Sequence, residues 1–388
     1  MRRRIKLFAL ASAAGLLTLV ACDVALRFAV NGPVYMVAVA AMPTLFRYNP
    51  GGKTNESIVG DLGSATADTR DDEPRRVAMT IDPFGFRNDE RSSRGPIDIV
   101  LLGDSYAFGF GTTQDNTVAG RLQTRTGLAT YNLAMPWTGP WAQYLNLAVE
   151  SERLPLQAGA TVIWLLFSGN DLDDAYGELD LQRIPRNGAA AQLLVSLKRI
   201  RNRSPIYRRL RRVTQNLASG SPDGAVTVVM PSPFVNGRPM LFLEPYVAVR
   251  ERTYDDVVRH PNYPALRQTL TAATTLAARL NVSLKVVLAP SKEEVYAWVL
   301  DEAAPWSTPS TPSGLSTAIG RLCAESGLEF LDLKVEFVNM SKTLFERSGD
   351  ILWWYDDSHW NAHGHDLAAA VIQRELLGRA AEPARRQP

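Results

Sequence analysis

Cysteine is scarce in this chain, with only Cys22 and Cys323 among 388 residues. Two cysteines cannot form a disulfide framework, so a packed core must hold the fold, and they say nothing of the redox compartment. An excess of charge of either sign is also missing. The net charge of +2 supplies no global field for a nucleic-acid partner. No internal repeat is visible, so the length is not built from stacked units. What the chain has is a hydrophobic content of 46%, enough for one large core or two modest ones.

A long apolar run is almost present at the amino end. Arg2, Arg3, Arg4 and Lys6 precede an uncharged stretch from Leu7 to Cys22, slightly short of the roughly 20 residues a spanning helix needs. Val24–Ala29 can extend it, with Asp23 and Arg27 at the outer interface. The pattern is that of a secretory signal or a short membrane anchor with its basic end in the cytoplasm. Leu19-Val20-Ala21-Cys22 also matches a lipoprotein cleavage box, and cleavage further on is a third reading. All three put the remaining chain outside the cytoplasmic membrane, facing the periplasm or cell exterior.

Residues 31–75 are rich in Pro, Gly, Asn, Thr and Asp without a sustained period. They read as a linker between the amino-terminal segment (1–30) and a domain over 76–380. Within that domain Ile97–Leu102, Ala129–Leu133, Thr161–Phe167, Val282–Leu288 and Leu328–Leu331 are short, apolar and β-branched-rich, as buried parallel strands are. Helical patterns lie between or after them, at about Thr117–Thr126, Trp141–Ser151, Ala265–Leu280, Gly314–Ser326 and Gly364–Arg379. Strand–helix alternation predicts an α/β fold with a parallel sheet covered on both faces. An insertion at about 172–259 interrupts it. Ala189–Arg203 reads as a helix beside a basic run that includes Arg208, Arg209, Arg211 and Arg212. That run is either a solvated face or a contact for anionic head groups or an acidic polymer. Val226–Met230 and Met240–Leu243, with Asn236-Gly237 between them, read as a hairpin. Residues 381–388 read as a flexible tail.

Gly103-Asp104-Ser105-Tyr106 closes the first strand, placing a serine at the carboxyl edge of a parallel sheet, where such folds bind ligands. Gly169-Asn170-Asp171 closes the third strand, and Asp356-Asp357-Ser358-His359 comes late. Serine is a weak nucleophile without an adjacent base, and imidazole titrates in the range that lets it take and return the proton. A serine at a helix start also gains free backbone N–H groups for a developing oxyanion.

These blocks, in this order from about Ile97 to Ala370, resemble those of the GDSL/SGNH hydrolase family. The resemblance implies a three-layer α/β/α flavodoxin-like (SGNH) fold and ester hydrolysis through an acyl-enzyme at Ser105, with no cofactor and no metal. It implies Ser105, Asp356 and His359 as the catalytic set, Asp356 by the family's Asp-x-x-His spacing. The competing Asp357 reads as a solvated turn residue. It also implies an oxyanion hole from the Ser105 N–H, the Asn170 amide and a glycine. Counting from Asn132, that glycine's place holds Trp137, so Gly139 is the expected substitute. A bulky residue resists the positive φ that glycine accepts.

Trp137, Trp141 and Lys292 are further substrate-binding candidates. The tryptophans suit a sugar platform or plain loop packing. Lys292 follows the fourth strand in Pro290-Ser291-Lys292-Glu293, a run similar to one in some anchored SGNH proteins. His359, His363 and His365 invite a zinc reading, but Asn361 capping the last helix and His365 packing against its first turn fit the family pattern better. Asp23–Arg27 resembles the membrane-exit segment of anchored SGNH proteins, which favours an uncleaved single-pass anchor. The expected substrate is a small acyl ester or an acylated glycan, such as an acetyl group on a cell-surface polysaccharide. Acetyl transfer onto an exported polysaccharide and a catalytically silent binding module are the alternatives.

Overall fold

The computed structural model describes residues 18, 36–38, 45–65, 72–92, 94–176, 228–229, 235–301 and 312–378. The chain divides into two units, Met1–Tyr35 with Gln182–Ala225, and Met36–Leu181 with Val226–Pro388. All described residues but Thr18 belong to the second. The anchor segment, the Ala189–Arg203 helix and the basic run around Arg208–Arg212 lie outside the described residues. Among the described residues no helix is long and apolar enough to cross a membrane.

In chain order the strands are β1 (Met36–Ala38), β2 (Phe46–Tyr48), β3 (Lys53–Ile58), β4 (Arg75–Thr80), β5 (Ile97–Gly103), β6 (Thr130–Asn132), β7 (Leu156–Phe167), β8 (Val228–Val229), β9 (Phe242–Leu243), β10 (Ser283–Ala289) and β11 (Glu329–Asp332). The helices are α1 (Asp61–Ala65), α2 (Ser105–Phe108), α3 (Val118–Thr126), α4 (Pro140–Glu150), α5 (Glu244–Arg250), α6 (Tyr254–Arg259), α7 (Tyr263–Leu280), α8 (Lys292–Val295), α9 (Ala297–Leu300), α10 (Gly314–Glu325), α11 (Lys334–Ser348) and α12 (Ala362–Ile372).

Five strands form one sheet in the order β11-β10-β7-β5-β6, every neighbouring pair parallel. Chain order along the sheet reverses between β5 and β7, which makes the fold flavodoxin-like. Strand interiors are almost wholly buried, as in Ile163–Leu166 and Val286–Leu288, because helices cover both faces. α3 packs on α12, whereas α4 packs on α7 and α7 on α10. The reversal matters for function. Strands that diverge in connection leave a crevice at their carboxyl ends, and Ser105 and Asn170 both emerge there.

The segment expected to be a linker is structured. β1 pairs antiparallel with β2, and β3 with β4. Arg47, on β2, is buried and donates to Asn146 (2.8 Å) and Glu150 (3.4 Å) of α4. Polar composition concealed this, because few apolar residues anchor the segment: Leu45, Tyr48 and Leu62 are buried, Tyr48 stacks on Phe108 at 5.5 Å, and the Arg47 contacts complete the attachment. The Asp82–Asn88 stretch behaves similarly. Asp82 accepts from the Phe84 and Phe86 N–H groups (2.8 and 3.0 Å). Buried Arg87 donates to the carbonyls of Phe108, Gly109 and Thr112, bracing the end of α2.

The expected hairpin is present, with β8 antiparallel to β9. Val235 and Arg238 bridge a two-residue turn in which Asn236 and Gly237 have φ of 52° and 74°. Both values are positive, as a type I′ turn requires. Helix α11 has no counterpart in the sequence expectations, and it buries only Phe337, Val338 and Ser341.

Candidate active site

Strand β5 ends at Gly103, whose φ is 153°. A Cβ there would lie 2.5 Å from the Leu165 carbonyl oxygen and 2.7 Å from the Ala107 methyl, so only glycine lets the strand turn into α2 against β7. Asp104 then caps the helix by accepting the Tyr106 N–H at 2.9 Å. Ser105 is the first residue of α2, and its Oγ lies 2.8 Å from His359 Nε2. On the far side of the ring, His359 Nδ1 lies 2.7 Å from Asp357 Oδ1.

That last contact corrects the expectation for Asp356. Asp357 Oδ1 also accepts the backbone N–H of His359 at 3.0 Å, a local turn in which a carboxylate reaches two residues ahead. The same oxygen thereby meets the ring nitrogen. Asp356, one residue earlier, points away from His359. Its oxygens take Arg75 Nη1 (2.8 Å) and the N–H groups of Gly60 (2.7 Å) and Glu73 (2.9 Å). Asp357 is fully buried rather than solvated, and the second Arg75 nitrogen pairs with its other oxygen.

Electrostatics follow from this arrangement. Burial opposes the charge of His359, but Asp357, Asp61 and Asp104 override it and raise its pKa above the ordinary value. Burial likewise opposes the charge on Asp357, yet His359 and Arg75 hold that carboxyl below its usual range. Asp61 approaches from α1, with its Oδ1 on the Ser358 N–H (2.8 Å) and its Oδ2 on the Ser358 hydroxyl (2.6 Å). One Asp61 oxygen stands 3.9 Å from His359 Nδ1. Burial, then the neighbouring Asp357 charge, raise Asp61 to about 6.

Lys292 is not a pocket residue. It is fully buried, and its ammonium donates to the carbonyls of Trp354 (2.7 Å), Tyr355 (3.1 Å) and Asp357 (3.1 Å). It therefore fixes the loop that carries Asp357 and His359, and burial lowers its pKa. Tyr106 and Trp353 donate to the Ser358 carbonyl from below. Tyr106 stacks on Phe167 at 3.9 Å and meets Trp360 edge-on at 5.0 Å, and Trp360 stacks on Phe337 at 4.9 Å. Removing a large aromatic from such a cluster typically costs about 3–5 kcal/mol.

Gly139, the expected stand-in for the oxyanion glycine, does not take the positive φ of that position. Its φ of −83° is ordinary extended backbone. A Cβ there would come within 2.0 Å of the Asp174 carbonyl oxygen, so close packing rather than positive φ is what demands glycine. The left-handed residue is Trp137 itself, at φ 58°. For an L-residue this conformation costs roughly 1–2 kcal/mol. The indole recovers little of that by burial, being 77% exposed. Its contact is Phe110, edge-on at 6.4 Å, and Phe110 lies 5.0 Å from the His359 ring. Trp141, by contrast, is buried on α4 against Tyr144 at 5.0 Å, which removes it from any platform.

Asn170 follows β7 in a turn held by buried Asp171, which accepts the Phe167 N–H at 2.7 Å and Gln143 Nε2 at 3.2 Å. Asn170 Nδ2 donates to Asp174 at 2.9 Å. An amide nitrogen carries two hydrogens, so one N–H remains beyond that bond. Burial raises Asp104 to about 6 and Asp171 well above the usual carboxylate range.

Asp61, Asp357 and His359 offer ligand atoms within 4.8 Å of one another. Each is already engaged: Asp357 by Arg75 and the imidazole, Asp61 by Ser358. The donor set is therefore complete as a proton and charge network and does not fit a metal. The late histidines do not converge either. His363 is exposed, while His365 is buried against Trp360 at 5.6 Å, with burial lowering its pKa to about 3. Asn361 caps α12 through the His363 and Gly364 N–H groups (2.9 and 3.2 Å).

No family model matches the chain, and no curated protein does. Among solved structures, the chain is similar to a member of the lipolytic protein G-D-S-L family from Veillonella parvula DSM 2008. That match has 11% identity and a TM-score of 0.37, and covers 73% of this chain and 99% of the other. It is also similar to the acetyl xylan esterase AlAXEase, with 11% identity and a TM-score of 0.36, covering 72% and 100%.

Proposed function

We propose that this chain is a serine esterase of the GDSL/SGNH type that removes small acyl groups, acetyl groups of a cell-surface polysaccharide among them. The single observation that carries the reading is the continuous chain Ser105 Oγ–His359 Nε2 at 2.8 Å and His359 Nδ1–Asp357 Oδ1 at 2.7 Å, at the sheet's switch point. The basic-then-apolar amino-terminal segment supports an enzyme tethered to the cytoplasmic membrane and working outside it.

In this reading Ser105 Oγ attacks the ester carbonyl carbon while its proton passes to His359 Nε2. Asp357 keeps the other ring proton on Nδ1 and stabilises the imidazolium. Charge accumulates on the carbonyl oxygen, where the Ser105 N–H at the helix start and the free Asn170 amide hydrogen are the donors. The carbon–oxygen bond to the alcohol breaks, and His359 returns the proton to that oxygen. Water then attacks the acyl-enzyme by the same route, giving up its proton to His359 and releasing the acid and free Ser105.

Fluorophosphonate labelling of the full chain, read by mass spectrometry beside Ser105→Ala, tests this directly. A single adduct on Ser105, absent from the variant, is the expected result. Folded protein that takes up no label would overturn the reading.

A further inference from the structure

Among the described residues, the exposed large aromatic side chains are Trp137 and Tyr176, 77% and 48% exposed. Both stand on the two loops that flank the nucleophile. Those loops meet where Gly139 is pressed against the Asp174 backbone, and Tyr176 N–H donates back to the Asp174 carbonyl at 2.8 Å. Trp137 continues through Phe110 to the His359 ring. Scattered exposed aromatics need no explanation. An aromatic held in a left-handed backbone conformation, turned to solvent beside the reacting groups, does.

We infer that Trp137, with Tyr176 on the adjoining loop, forms an aromatic ledge that receives the sugar ring bearing the ester. The inference rests on the esterase reading of Ser105 and names the alcohol part of its substrate. A flat, amphipathic ring face suits the apolar C–H face of a pyranose. The polar groups nearby include two carboxylates, Asp174 on the Tyr176 loop and half-exposed Asp61 beside His359. Carboxylates accept hydrogen bonds from sugar hydroxyls and disfavour an anionic ligand. One indole and the edge of one phenyl ring offer no enclosed trough for a long acyl chain, so the ledge faces the alcohol side of the ester.

The test compares wild type, Trp137→Ala and Trp137→Gly on three substrates: 4-nitrophenyl acetate, 4-nitrophenyl decanoate, and acetylated cello- and xylo-oligosaccharides. The expected outcome is a rise in KM of tenfold or more for the acetylated oligosaccharides in both variants. Their kcat should change far less than KM, and turnover of 4-nitrophenyl acetate should fall far less than that of the oligosaccharides. Trp137→Gly should melt no lower than wild type, since glycine accepts the backbone conformation freely.

Equal loss on all substrates would make Trp137 part of the oxyanion machinery, and loss confined to the decanoate would make the ledge an acyl site. Unchanged oligosaccharide kinetics would remove it altogether. Each of these overturns the inference. If wild type cleaves no ester, the esterase reading fails instead. Calorimetric titration of deacetylated oligosaccharides into wild type and Trp137→Ala then decides the ledge alone, with binding lost in the variant expected and equal or absent binding overturning it.

Discussion

Asp357 and His359 are joined twice, once through the backbone N–H at 3.0 Å and once through ring Nδ1 at 2.7 Å, both to the same carboxylate oxygen. The turn that places the acid thus also orients the base. Arg75 fixes the other oxygen of Asp357 and, with its second nitrogen, Asp356. The two adjacent acids therefore share one guanidinium but have separate tasks.

Substitution should separate those tasks. Asp357→Asn is expected to lower kcat by about 10³–10⁴, as loss of the orienting carboxylate does in serine hydrolases. Asp356→Asn should retain most of kcat but melt lower, because it weakens the ion pair to Arg75 and the bonds to Gly60 and Glu73. Steady-state kinetics and thermal melts on both variants check this; equal kinetic loss in both would contradict it.

The rate should depend on pH through His359. Only the neutral ring accepts the Ser105 proton, and its pKa is raised, so the acid limb of kcat/KM should have a midpoint above about 6.5. Asp61→Asn removes one of the charges that raise it and should move that midpoint downward. The sign for stability is opposite. A folded-state value above the unfolded one contributes stability at pH below the unfolded value, and that contribution is lost as pH rises through the folded value. Profiles of kcat/KM from pH 5 to 9 and melts over the same range test both statements.

Arg75 and Lys292 should behave as structural cations. Arg75→Ala leaves two buried carboxylates without their ion pair, and Lys292→Met leaves three carbonyls without a donor. Each is expected to cost about 3–5 kcal/mol. Arg75→Lys should recover only part of the loss, since one ammonium cannot replace a fork held by two acids. Urea denaturation measures these differences.

Asn170→Ala should lower kcat by about 10²–10³, roughly 3–4 kcal/mol of transition-state stabilisation, with little change in KM. A loss in KM alone would assign the amide to substrate binding.

Much of the sheet is legible because its strands are continuous apolar runs and its helices carry regular faces. Ser105 and His359 are legible because each sits in a strong local pattern: the first at a strand end, the second just before a Trp-Asn helix entry. Asp356 against Asp357 is not decided by residue spacing, since both precede the histidine, and only the turn geometry selects. Lys292 misleads for a related reason. A lysine past a strand end looks exposed until its three carbonyl partners are known. Arg75 and Asp61 are invisible in a polar, aperiodic stretch because their partners lie nearly the whole domain away in sequence. Trp137 runs against local preference, and its strain marks where the loop serves something other than stability.

The contacts between residues 60–75 and the 354–359 loop have a consequence for synthesis. A ribosome-bound chain that has released β5 through β11 holds a nucleophile without its base. Arg75 meanwhile waits for acids not yet made. Until the 354–359 loop has been made and packed, the chain lacks both its base and its orienting acid. Closing so long a loop is slow compared with forming local helices, so ester cleavage should appear after the sheet has assembled, in one late step.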